Sequence, residues 1–435
     1  MTSRPPGIRT DDRYRTVGER QIVEMLLVAA FVSELDAGKW ADAAAQVVAA
    51  LDRWIDLGLG YRVSDRGERL FDPVEVINRM KWAGYHDQDR FWTDHFVATT
   101  RGFLGEWDNT TARPDQPACR RPARFSLTLR RLFHLNDIEA GRKLRLRLPL
   151  PLSQSSDDVE IEPAVAPDLA ARINRSEGRL EFQLPAPSDP FVEIGATITF
   201  RTNGWSKHEV AAASADENEI YLRPNEGLVR VTPRIYALSQ KLAGEERDRF
   251  KIVTRFFHYL IEELMCGLVH YDQIDTEAPG DWVLDGGWYD CQLGSSLLVS
   301  MCRASGIPAR LLSGHMLYRL APGFHYWAEV WIEGKGWTPF DFLTWDLSKG
   351  GHDTVWRNCL AGAIDYRMVT QCFPLRFIGP MSVRFPPSWH LVNAPISRGM
   401  NISFTELDGK LIYSDRVQFR EHPLDPGETG DRPRD

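Results

Sequence analysis

The stretch Gly286-Gly287-Trp288-Tyr289-Asp290-Cys291-Gln292-Leu293-Gly294 passes from a loop into an apolar run, with Leu293, Leu297, Leu298 and Met301 at helical spacing. Gly306-Ile307-Pro308 closes that run. Cys291 is therefore expected in the first turn of a helix. Backbone N–H groups and the helix dipole there favour an anion, so a lowered thiol pKa is expected. The same N–H groups can hold an oxyanion. The glycine pair lets the backbone approach a substrate closely.

Two later segments extend this reading. The segment from Ile307 to Gly314 reads as a buried strand, and His325-Tyr326-Trp327-Ala328-Glu329-Val330-Trp331 as another. Gly336-Trp337-Thr338-Pro339-Phe340 is a third, ending at Asp341. Adjacent antiparallel strands would bring Asp341 to hydrogen-bonding range of His325. Cys, His and Asp in that order supply a nucleophile, a proton carrier and a group that orients the imidazole. Taken singly, each has a plainer reading: a packed thiol, a structural histidine, a turn aspartate. Their joint placement at element edges singles out Cys291, His325 and Asp341. His315 competes for the base and Asp346 for the orienting carboxylate. Trp288, Tyr289, Asp290, Gln292, Trp327 and Tyr271 are candidate cleft residues, with His270 beside Tyr271. His390 reads as structural.

The cysteines are 119, 266, 291, 302, 359 and 372, and none forms a C-x-x-C pair. A zinc or iron–sulfur site is therefore not expected. Five read as small core residues, and only Cys291 has a nucleophile's neighbours.

The rest of the chain divides by period. Residues 1–112 read as a helical region, with Ile22, Met25, Leu26 and Ala29 on one stripe and Val47, Val48, Leu51, Trp54 and Ile55 on another. Aromatics crowd Phe71 to Trp107 and read as core packing or, alternatively, a docking surface. Residues 120–230 alternate with period two, as in Phe125, Leu127, Leu129 and Leu144, Leu146, Leu148, and read as a β-sandwich. Residues 231–375 form the mixed region around Cys291. There Thr232-Pro233 opens one helix, Gly244 stops it, and a longer helix runs from about Glu246 to Leu264. Residues 376–422 read as strands completing that core, with Asp408-Gly409 as a hairpin turn. Residues 423–435 read as a disordered tail.

Composition sets the outer limits. The chain has 435 residues, 43% hydrophobic and 26% charged, with a net charge of -8. That supports a full core without disulfide or metal staples and argues against general nucleic-acid binding. No signal-peptide pattern opens the sequence, and its longest apolar run, Met25 to Val32, is too short to span a bilayer. A cytoplasmic protein without membrane contact is expected.

Four segments together resemble the transglutaminase-like superfamily: Trp288-Tyr289-Asp290-Cys291, Cys302-Arg303-Ala304-Ser305-Gly306-Ile307-Pro308-Ala309-Arg310, His325-Tyr326-Trp327-Ala328-Glu329-Val330 and Trp337-Thr338-Pro339-Phe340-Asp341. The resemblance spans about residues 285–345. It implies an α+β fold with a papain-like core. The β-sandwich before that core is similar to the β-domain that precedes it in many bacterial members, and the helical region lies outside the resemblance. The resemblance also implies a triad of Cys291 as nucleophile, His325 as base and acid, and Asp341 as orienter. Two departures stand out: Phe342 follows Asp341 where many members have Pro, and Tyr289 lengthens the approach to Asp290-Cys291. Neither removes a catalytic atom. The expected chemistry is acyl transfer or hydrolysis at an amide or thioester through an acyl-enzyme. The expected partners are a protein, peptide or acyl-thioester substrate and an amine acceptor. No calcium-loop pattern is present, so neither metal nor cofactor is expected. The competing reading is a catalytically silent peptide-binding or scaffold module. The sequence leaves the oligomeric state open.

Overall fold

Apolar stripes at helical spacing build the N-terminal region. The computed structural model describes residues 16–29, 37–85, 101, 123–202 without 136, 137, 154 and 177, 219–372 without 271, 272 and 318–322, then 389–392, 401–404 and 412–422. Helix α1 is Glu19–Ala29, α2 is Ala37–Asp56 and α3 is Pro73–Tyr85. Ile22, Leu26, Val47, Leu51 and Trp54 meet in one cluster with Phe71 and Ile77. Fully burying each such side chain contributes about 1.5–3 kcal/mol. Asp72 caps α3, its Oδ1 accepting from the Val74 N–H at 2.9 Å, and Pro73 takes the first helical position. A small antiparallel sheet of Val17–Gly18, Arg62–Val63 and Arg69–Phe71 also lies here. Strands of two or three residues are too short to show a period, so the sequence pattern missed them. Most of the aromatic stretch after Tyr85 lies outside the described residues.

Alternation of period two builds two packed sheets. The strands are β1 (Ala123–His134), β2 (Lys143–Pro149), β3 (Ser156–Val165), β4 (Arg172–Ser176), β5 (Arg179–Pro185) and β6 (Phe191–Thr202). One sheet contains β1, β6 and β3, the other β2, β5 and β4. Phe125, Leu127 and Leu129 of β1 face Leu146, Leu148 and Phe182 in a shared core. Residues 219–230, expected within the sandwich, pack instead on the unit around Cys291. Glu226 pairs with Arg303 at 3.0 Å, and the Ala309 N–H donates to the Tyr221 carbonyl at 3.1 Å.

The unit around Cys291 begins with α4 (Pro233–Ala243), capped by Thr232, and α5 (Arg249–Glu263). Helix α5 starts later than the apolar stripe suggested because the Asp248 carboxylate accepts the Phe250 and Lys251 N–H groups. Helix α6 (Pro279–Gly286) and α7 (Cys291–Ala304) follow. A four-stranded antiparallel sheet packs on α7: β7 (Ala309–Met316), β8 (Gly323–Ile332), β9 (Gly336–Phe340) and β10 (Arg367–Cys372), in the order β9-β8-β7-β10. The short helix α8 (Leu343–Leu347) follows β9. Gly314 of β7 must be glycine for space: a Cβ there would come within 2.0 Å of the Met368 carbonyl oxygen on β10.

The expected C-terminal strands do not complete this sheet. Strand β11 (Ile412–His422) pairs along its full length with β1, from Ile412 opposite His134 to His422 opposite Arg124, and so extends the sandwich. Arg131 of β1 fastens it with two 2.7 Å bonds to the Asp415 carboxylate. The reason lies in the sandwich edge. Val417 and Phe419 alternate toward its apolar core, while Asp415 meets an arginine. Residues Trp389–Val392 and Asn401–Phe404 form a separate antiparallel pair. The predicted Asp408-Gly409 turn and the tail 423–435 lie outside the described residues.

Candidate active site

Local backbone chemistry positions Cys291. Trp288–Tyr289 pairs in parallel with Met265–Cys266, and the Gly267 N–H donates to the Tyr289 carbonyl at 2.7 Å. This short ladder holds the chain straight up to Asp290. Asp290 is then the N-cap of α7: its backbone is extended, and its Oδ1 accepts the Leu293 N–H at 2.9 Å. Cys291 becomes the first helical residue. Gly294, one turn on, leaves room for the Tyr289 ring, which a Cβ would approach to 2.5 Å.

The sheet positions the other two residues. His325 lies opposite Gly314 on β7. The β8–β9 ladder pairs Ala328 with Phe340, so continuing it by one places Asp341 on the same face as His325. His325 Nε2 lies 2.8 and 3.0 Å from the two Asp341 oxygens. Asp341 also accepts the Leu343 N–H at 2.8 Å, so α8 starts on the same carboxylate. The Tyr326 backbone N–H, immediately after His325, donates to the Cys291 sulfur. The thiol is thus held beside the residue that carries the imidazole, whose Nε2 is already committed to Asp341.

The electrostatics have two parts. Asp341 is buried, and burial alone would raise its carboxyl. The Arg367 guanidinium and then His325 outweigh it and hold the carboxyl well below the usual range. Arg367 itself is fixed by Asp365 at 2.7 Å and lies 4.9 Å from the Trp327 ring. Cys291 goes the other way. Its residue keeps some surface, but enclosure of the sulfur, followed by the Asp290 charge, pushes the thiol well above its ordinary value. The lowered thiol pKa expected from the helix start is therefore reversed. The carboxylate that caps the helix places a negative charge beside the sulfur.

The competitors are committed elsewhere. His315 pairs with Phe324, the residue before His325, so it points to the opposite face. It is buried and contacts the Phe324 ring at 5.4 Å. Asp346 pairs with Lys81 of α3 at 2.9 Å. Two of the candidate cleft residues are core residues. Tyr289 is fully buried with its hydroxyl on the Leu260 carbonyl at 3.1 Å, and Trp327 is buried against Arg367 and Leu312. Asp290 and Gln292 are buried as well, the former serving as the cap. Trp288 keeps partial exposure and stacks edge-on to Trp282 at 5.1 Å. Tyr271 lies outside the described residues. Sequence reasoning missed Arg367 and Lys81. Neither has a local signature, because each meets its partner only through the fold.

Residues 236–342 match the family model of the transglutaminase-like superfamily. The chain carries a transglutaminase-like core. The superfamily consists of generally cysteine-dependent enzymes. The matched residues run from α4 through Phe342 and include Cys291, His325 and Asp341. No curated protein is significantly similar to the chain. Among solved structures, a candidate cysteine protease from Cytophaga hutchinsonii is 13% identical with a TM-score of 0.43, over 70% of this chain and 92% of its own. The periplasmic domain of TgpA from Pseudomonas aeruginosa is 17% identical with a TM-score of 0.29, over 56% and 93%. Red sea bream transglutaminase is 12% identical with a TM-score of 0.24, over 62% and 60%. The assignment of the transglutaminase-like core rests on the family model, not on these superpositions. No helix among the described residues is long and apolar enough to cross a membrane.

Proposed function

We propose that the transglutaminase-like core performs thiol-dependent acyl transfer, with Cys291 as nucleophile, His325 as proton carrier and Asp341 as the group that orients the imidazole. The carrying observation is the 2.8 Å bond between His325 Nε2 and Asp341 beside a sulfur held by the Tyr326 N–H. With Nε2 bound to the carboxylate, Nδ1 is the nitrogen that takes the thiol proton. The thiol rests protonated, so the thiolate forms as His325 accepts its proton in the encounter with substrate.

The thiolate adds to an amide or thioester carbonyl, and the Cys291 backbone N–H at the helix start stabilises the oxyanion. The tetrahedral centre collapses, the leaving amine or thiol takes the proton from His325, and a Cys291 acyl thioester remains. Water or an amine then adds, gives its proton back to His325, and expels the thiolate, which is reprotonated. Water makes the outcome hydrolysis of a peptide or amide; an amine makes it a new amide bond. A protein or peptide is the substrate class that fits the superfamily.

A thiol held well above its ordinary range favours a second reading, a silent binding module on the same fold. Substitution separates the two. Cys291→Ala should lower turnover on peptide thioesters on the order of 10⁴-fold or more, with the melting temperature kept. Cys302→Ala, which alters a buried helix thiol, should not. Equal turnover in Cys291→Ala and the parent would leave the silent module standing.

A further inference from the structure

Asp72, which caps α3, and Glu75, Asn78 and Lys81 within it follow at three-residue intervals, so each neighbours the next on the helix surface. All face the segment leading to Cys291. Asn78 exchanges two bonds with Leu268, its Nδ2 donating to the carbonyl at 2.8 Å and its Oδ1 accepting from the N–H at 2.6 Å. Lys81 Nζ donates to the Cys266 carbonyl at 3.2 Å. At the start of the same row, His270 Nε2 meets Asp72 Oδ2 at 2.7 Å.

Asp72, Glu75 and His270 are buried, and one ligand atom from each lies within 4.8 Å of the others. Glu75 is 7% exposed, and its Oε2 is buried with no hydrogen-bond partner among the described residues. A carboxylate oxygen left in that position is costly unless a cation meets it. Asp72 contributes Oδ2, because its Oδ1 is already used to cap α3. Two carboxylate oxygens and one imidazole nitrogen, from residues three apart on a helix and from a facing loop, form a donor set for a divalent first-row ion.

We propose that Asp72, Glu75 and His270 bind a divalent cation of the zinc or manganese class, which fastens the N-terminal helices to the segment feeding Cys291. The cation takes the place of the direct His270–Asp72 bond and satisfies the Glu75 oxygen. The site is separate from the triad and does not depend on the acyl-transfer reading. It also revises the expectation, drawn from the absence of a calcium loop, that no metal is used.

The test uses the full chain carrying Cys291→Ala, so that the candidate nucleophile cannot be the ligand. Protein stripped with EDTA is titrated with zinc, manganese or calcium chloride. Bound metal is counted by mass spectrometry and the melting temperature recorded. The expected result is about one equivalent of zinc or manganese retained, with a melting temperature raised by roughly 5 °C. Glu75→Gln or His270→Gln should weaken binding by about tenfold or more. Retention below a tenth of an equivalent, or Glu75→Gln binding as tightly as its parent, would overturn the proposal. If either variant fails to fold, cobalt in the parent decides. Ligand-field bands without a thiolate charge-transfer band support the site, and a thiolate band or no binding refutes it.

Discussion

Asp290 acts on its neighbour in two opposed ways. Its carboxylate caps α7, and the same charge pushes the Cys291 thiol upward. The two effects separate by chemistry. Asp290→Asn keeps an acceptor for the Leu293 N–H but removes the charge. Alkylation of Cys291 by iodoacetamide at pH 7 should then speed up severalfold, while the melting temperature changes little, because asparagine caps as well as aspartate. Unchanged or slower alkylation would mean that Asp290 does not set the thiol's pKa. At this scale local pattern was legible for the place of Cys291 at the start of α7 and of Asp341 just past β9, whereas His325 lies inside β8, two residues after its start. It was not legible for charge. The helix start favours a thiolate, but enclosure of the sulfur, and after it the cap's own carboxylate, outweigh that. Arg367 was hidden for a related reason: its meeting with Asp341 spans the sheet from β10 to the end of β9.

At the scale of elements, the β7–β8 ladder decides which histidine meets Asp341. One-residue alternation puts His325 on the Asp341 face and His315 on the other. Burial brings His315 down to about 4, with the Asp415 charge opposing and the Arg131 charge assisting. The unfolded chain, with a histidine near 6.5, therefore binds more protons between pH 6.5 and 4. Stability from this group is complete above pH 6.5 and lost as pH falls toward 4, by about 3 kcal/mol. His315→Leu should remove that loss. Urea unfolding of the two proteins at pH 7 and pH 4 measures it, and equal acid sensitivity would show that His315 is not the titrating group. Helix α7 and the strands after it were readable because their periods run over five or more residues. The three short N-terminal strands were not, and β11 was readable as a strand but not in its partner. Pairing across nearly 300 residues leaves no mark in local spacing.

At the scale of the molecule, the helical region is joined to the transglutaminase-like core through buried polar contacts. Lys81, nearly enclosed, is one of them. Burial opposes its charge, but Asp346 outweighs this and holds the ammonium protonated. Its charge also reaches Cys291. Lys81→Met leaves Asp346 buried without its partner and should cost about 3–5 kcal/mol of stability. The double variant Lys81→Met with Asp346→Leu should recover much of it. Chemical unfolding of the single and double variants measures both, and an additive loss would contradict the pairing. A region with no motif of its own thereby sits against the core that holds Cys291, His325 and Asp341. Sequence reading showed the helices, but not the surface they cover.

The most direct test of the account is the mass of Cys291 after brief incubation with a peptide thioester and acid quench. The account predicts an acyl adduct on the peptide containing Cys291, absent in Cys291→Ala and formed far more slowly in His325→Ala. An adduct on another cysteine, or turnover without any adduct on Cys291, would contradict it.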